Sequence, residues 1–163
     1  MKKIPSIMIV VWGIAVLCTL FLSSCKRPEV LDNSTLVNSA RNVALTFGPA
    51  YVPFFKEANV SDVQVFKKKD YGGDSRPQIR NQIGRKFYTV TFTYDSTAVK
   101  FDFGFAARVR IWKDTGEPLD VIFGNGWGRN FFFLSFKEQT NHSPNDYEKV
   151  ASDSIVKVPL QTV

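Results

Sequence analysis

The sequence predicts a mainly β domain: an antiparallel meander forming a sandwich or half-barrel, with at most one short helix near its N-terminal end. Two observations carry this. In "KFYTVTFTYD", Tyr88, Val90, Phe92 and Tyr94 alternate with Thr89, Thr91 and Thr93. A period of two places the aromatic and apolar side chains on one face of a strand and the threonines on the other. Further short apolar runs follow, separated by clusters of Gly, Asp, Asn and Pro, the spacing of strands joined by turns.

The elements can be justified in order. Residues 39–45 suit a short helix or a strand, and "FGPAYVPFF" has two prolines and a glycine that resist either. Phe54 and Phe55 are expected to cover one end of the core. Val63 to Phe66 is the first strand candidate, and "DYGGDSRPQIRNQIG" is a long polar connection. After the threonine-rich strand, Asp95-Ser96 begins a turn. Phe101, Phe103 and Phe105 then alternate with Asp102 and Gly104, and the register runs on through Ala107, Val109 and Ile111. Arg108 and Arg110 fall opposite, as does Trp112, although tryptophan is usually mostly buried. Residues 113–117 close a hairpin, residues 119–123 return, "GNGWGRN" turns again, and "FFFLSFK" and residues 155–160 supply the last strands.

The N-terminus has a different design. Met1-Lys2-Lys3 precedes an apolar run from Ile7 to Leu22 that ends on Ser23-Ser24-Cys25. A cationic start, an apolar stretch and small residues are the layout of an export signal. The run is short of the ~20 residues a lasting transmembrane helix needs.

Leu22-Ser23-Ser24-Cys25 resembles the lipobox of bacterial lipoproteins. The resemblance implies that the Cys25 thiol takes a diacylglyceryl group, that a signal peptidase removes residues 1–24, and that the new amino group is acylated. Residues 25–38 would then be a flexible tether and residues 39–163 a single β-rich domain. Two or three acyl chains would hold the protein to a leaflet, since one chain binds only reversibly. Surface-displayed lipoproteins of Bacteroidota-type bacteria often carry an acidic stretch after the cysteine. Lys26-Arg27-Pro28-Glu29 departs from that pattern and favours the outer membrane's periplasmic face. The resemblance covers the signal and lipobox only, so no activity follows from it for the domain.

Composition narrows the chemistry. Removing residues 1–24 from 163 leaves 139, the size of one domain. Lys2 and Lys3 leave with them, so cations fall from 21 to 19 against 15 acids, a net charge near +4. That charge suits a place beside anionic lipid or glycan. No Lys/Arg cluster resembles a nucleic-acid motif, and Lys67-Lys68-Lys69 reads as a solvated strand end. Cys18 leaves with the signal and Cys25 is lipidated, so the domain is expected to fold without a disulfide. The single histidine, His142, lies among turn formers. A Ser-His-Asp triad would depend on it, and zinc normally draws on several His or Cys. No metal or cofactor is expected.

Two motifs remain. Asp114-Thr115-Gly116 matches the aspartic-protease tripeptide, but Glu117-Pro118 follows and the flanks are strands, so a hairpin turn accounts for it. Gly124 to Asn130 is the candidate recognition loop. Its glycines permit a tight irregular path. Asn125, Trp127 and Arg129 could meet a glycan or an anion there, or Trp127 could pack onto the sheet at a bulged hairpin. The expected function is a non-enzymatic, lipid-anchored envelope domain that binds a protein or glycan or plays a structural part. The alternatives are a hydrolase pairing two of Asp95, Asp102 and Asp120, or a small-ligand carrier.

Overall fold

The computed structural model describes residues 31–141 and 156–157. The signal segment, Cys25, His142 and most of the expected last strand lie outside them. Among the described residues no helix is long and apolar enough to cross a membrane.

Helix α1 (Asn33–Phe47) opens the domain. Asp32 caps it, its Oδ1 accepting from the Thr35 N–H at 2.7 Å. Leu36, Ala40, Val43, Ala44 and Phe47 are buried, which is the spacing of one helical face. The tether expected to reach Asn38 therefore gives way to the helix at Asn33, because Leu36 belongs to the core. The helix is also longer than residues 39–45. It stops at Gly48, where a Cβ would stand 2.3 Å from Phe123 Cε1, so only glycine lets chain and ring approach this closely. A 3-10 turn, Pro49–Phe54, follows.

The strands are β1 (Ala58–Val60), β2 (Gln64–Val65), β3 (Lys86–Phe92), β4 (Val99–Lys100), β5 (Ala107–Trp112), β6 (Pro118–Phe123), β7 (Gly128–Asn130) and β8 (Val156–Lys157). Six form an open antiparallel sheet in the order β1-β3-β5-β6-β7, with β2 also paired to β3, so the fold is mainly β as expected. β4 pairs with β8 in a separate two-stranded ladder.

The faces follow the alternation. Val90 opposes Val109, which opposes Val121, and Phe92 opposes Ala107, which opposes Phe123. These residues are fully buried with the apolar stripe of α1. Phe55 stacks on Phe92 at 4.2 Å, as its expected covering role requires. Tyr51 stacks on Phe123 at 4.6 Å.

The other face carries a second, smaller core. Phe87 opposes Trp112, and both pack with Phe66, Ile79 and Leu119. Trp112 thus points away from the main core yet is buried. Leu119 reaches this cluster through a bulge: the pairs Arg110–Asp120 and Ile111–Pro118 leave it as the extra residue.

Two expected strands are corrected. The Phe101–Phe105 segment does not extend β5. The Phe103 N–H donates to the Gly124 carbonyl and the Ala106 N–H to the Phe92 carbonyl, each at 2.9 Å, so the segment bends across the sheet's end. Phe101 and Phe105 bury while Phe103 stays exposed. "FFFLSFK" is likewise not a strand. Its end forms the one-turn helix α3 (Phe136–Gln139), after the similar α2 (Pro77–Arg80). Ser135 and Glu138 make a reciprocal capping box, with the Ser135 N–H donating to Glu138 Oε2 at 2.8 Å.

The Tyr51 hydroxyl is buried without a hydrogen bond of ordinary geometry. Burial pushes its phenol up to about 12, with the Asn125 side chain offsetting part of that shift. Below pH ~10 both folded and unfolded chains hold the proton, and stability is complete. Between there and the folded value only the unfolded phenol ionises, so stability falls as pH rises. Tyr51→Phe is expected to remove that alkaline loss and cost little at neutral pH. Urea melts at pH 7 and 11 check this, and an equal alkaline loss in the variant would refute it.

Candidate functional site

The second face is only partly covered. After β2 the chain buries Phe66, runs through the 3-10 turn Lys68–Tyr71, and returns by α2 to β3. The Lys67 N–H donates to Asp70 Oδ2 at 2.7 Å, which fixes the turn. Tyr71 and Ile79 from this excursion pack on the second core. Beyond its cover the face lies open as a groove of about 840 Å³.

Its floor is Thr89 and Thr91 of β3, Arg108 and Arg110 of β5, and Ile122 of β6. One wall is Ser61 and Gln64, and another is Lys67, Lys69 and Asp70. The Ser61 wall is pinned to β3: Ser61 Oγ accepts from the Thr89 N–H at 3.0 Å, and the Ser61 N–H donates to the Thr89 carbonyl at 2.9 Å. Phe87 is the floor's one aromatic ring, and it is almost wholly buried.

Arg110 and Asp120 form a buried ion pair at the groove's closed end. Arg110 Nε donates to Asp120 Oδ1 at 2.9 Å, and Nη2 donates to Oδ2. The guanidinium also lies 5.3 Å from the Phe87 ring centroid. Burial pushes the Asp120 carboxyl up, and the hydrogen bonds and charge of Arg110 offset part of that shift. Arg108, further out, is exposed, with its guanidinium 4.2 Å over the Phe105 ring. With Lys67, Lys69 and Arg110 it makes the groove cationic, opposed by Asp70 and Asp120.

The candidate loop sits elsewhere. Trp127 is half-buried, stacked on Phe123 at 5.4 Å and packed against the main core. Its N–H is taken by Asn125 Oδ1 at 3.1 Å. Arg129 lies in β7 opposite Val121, its guanidinium 5.7 Å from the Trp127 ring centroid. None of the three lines the groove.

The candidate carboxylates are held by separate partners. Asp95 accepts from Lys56 Nζ at 2.9 Å and from the Thr97 hydroxyl at 2.5 Å, and these hold it well below the usual carboxylate range. Asp120 is bound by Arg110, and Asp102 is exposed in the bend after β4. Asp114 of the Asp-Thr-Gly hairpin accepts from Arg85 Nη2 at 2.6 Å and is lowered by it. A smaller hollow of about 370 Å³ lies beside Arg85, Trp112 and Lys137. Arg85 is already engaged there, paired with Asp114 and lying 4.0 Å over Trp112. Among the described residues no cluster of three His, Cys, Asp or Glu could hold a metal ion.

The sequence shows Arg108 and Arg110 on a strand's outward side and the lysine run beside a turn. It does not show that the β2–β3 excursion brings them together. No family model, curated protein or solved structure matches the chain.

Proposed function

We propose that this chain is a bacterial lipoprotein, anchored through lipid on Cys25 at the outer membrane's periplasmic face, and that its β domain binds an envelope partner in the groove without catalysis. The observation that carries this reading is the groove itself. A sheet face is left open and lined with cations, hydroxyls and an amide beside the apolar side chains of Val65 and Ile122, where a further layer would otherwise complete a sandwich. Clefts lined by one sign of charge concentrate oppositely charged partners. The separate engagement of Asp95, Asp114 and Asp120 favours binding over two-carboxylate hydrolysis. The groove volume also falls in the range of small-molecule sites, so a ligand carrier is the second reading. Native mass spectrometry of the extracted protein would detect a retained ligand.

Two measurements test the proposal. Cys25→Ala is expected to abolish incorporation of a palmitate analogue and leave the uncut precursor in the membrane. Equal labelling of the variant would end the lipoprotein reading. Hydrogen exchange of the full chain, with and without solubilised envelope polysaccharide, is expected to show protection at residues 61–70 and 87–91. Protection confined to residues 124–130 would move the site to the Trp127 loop.

A further inference from the structure

Resting on that reading of the groove, we propose that its ligand is an acidic glycan, a chain of sugars bearing carboxylates. Arg108 is the cation that selects the carboxylate, and Phe103 is the surface on which a sugar ring stacks.

Not every cation of the groove is available to a ligand. Arg110 is committed to Asp120 through three hydrogen bonds. Among the described residues Arg108 forms no ion pair with a carboxylate, and Lys67 and Lys69 are exposed on the wall. The groove thus offers cations on two sides. Asp70, the one carboxylate among the described residues of its lining, already accepts the Lys67 N–H. An anionic occupant complements that arrangement.

The next observation is aromatic. Phe105 holds the Arg108 guanidinium at 4.2 Å and stacks with Phe103 at 5.4 Å and 19°. Phe103 is 46% exposed, more than any other phenylalanine or tryptophan among the described residues. Arg108 of the lining lies over Phe105, and Phe103 stacks beside Phe105 as an exposed ring outside the lining, next to Gly126. A pyranose presents an apolar C–H face and, in a uronic acid, a carboxylate at its edge. The face suits Phe103, and the carboxylate suits the planar fork of Arg108.

The floor supplies the third argument. Thr91 brings a hydroxyl that can donate to and accept from sugar hydroxyls and Gln64 an amide N–H that can donate, whereas the Ser61 and Thr89 hydroxyls are taken up by the Asp62 carbonyl, the Thr89 N–H and Gln64 Oε1. The floor is built on β3 and β5, each paired on both sides within the sheet, so the floor itself offers no row of unpaired backbone groups for an extended peptide.

The test uses the full lipidated chain in a sugar-free polyoxyethylene detergent. Binding of polygalacturonate, neutral dextran and polyphosphate of matched length is measured by thermophoresis at several salt concentrations. Polygalacturonate is expected to bind and dextran not to. Arg108→Gln should weaken polygalacturonate by about ten-fold or more, as expected for losing a charged hydrogen-bonded pair. Arg108→Lys should fall between, and Phe103→Ala, at an exposed position, should weaken binding several-fold with an unchanged melting midpoint. Three results would overturn the proposal: dextran binding as tightly as polygalacturonate, polyphosphate binding as tightly with the same salt slope, or indifference to Arg108→Gln. Exchange mapping separates this failure from that of the groove. If dextran protects residues 61–70 and 87–91, the groove stands and the acidic ligand falls. If polygalacturonate protects neither these segments nor residues 103–110, both fall.

Discussion

Phe92→Ala is expected to lower the unfolding free energy by about 3–5 kcal/mol, the usual cost of removing a buried phenylalanine ring. Phe92 is fully buried at the end of β3, stacked face to face on Phe55 and paired across the sheet with Ala107. Phe55, just after the Pro49–Phe54 turn, covers one face of the ring, and the Arg41 guanidinium of α1 lies 5.6 Å from its centroid, so the cavity has little freedom to collapse. Small domains have roughly 5–15 kcal/mol in all, so this one change would bring the fold near its limit. Thr91→Ala, one residue away on the groove side, should cost far less, because its side chain is half-buried and lines the groove. Urea melts of both variants measure the difference. A larger loss at Thr91 would mean the two faces had been assigned the wrong way round.

Asp120→Ala should be comparably damaging, at about 3–5 kcal/mol, because it leaves the Arg110 guanidinium uncompensated in a largely buried position. The side chains of Arg110 and Asp120 are 16% and 7% exposed. Arg110 has aromatic neighbours in Phe66 and Phe87, and these cannot accept the hydrogen bonds that Asp120 takes. Replacing both partners by leucine should restore most of the loss, since a well-packed apolar pair is often no worse than a buried ion pair. A double-mutant cycle from melting data gives the coupling between them. If Asp120→Leu and Arg110→Leu simply add, the pair does not act as a unit and this account of the groove's closed end fails.

These two cases mark where sequence reasoning reached and where it stopped. Phe92 was legible because a strand's period of two is local: neighbours in sequence fix which face a residue takes. The same local logic gave β6, the Lys113–Glu117 hairpin and the mainly β class. It failed at Phe103, where the alternation continued but the chain left the ladder to bond Gly124. At Ser135 the sequence carries a capping box with Glu138 that the strand reading of the phenylalanine run leaves out. Trp112 shows the limit most plainly. Alternation placed it outward, and only the excursion between β2 and β3 turned that outward face into a second core.

What the sequence by itself determined, then, is the set of local properties: strand faces, turns, the capacity for one helix, and an address written in the residues up to Cys25. What only the tertiary structure decided is the groove. Its lining comes from the β1–β2 connection, the Lys67–Asp70 turn and four strands, β2, β3, β5 and β6, and no spacing rule links Lys69 to Arg108. The physical reason is that strand pairing and chain reversal set which side chains share a surface, and both depend on contacts between residues far apart in the chain.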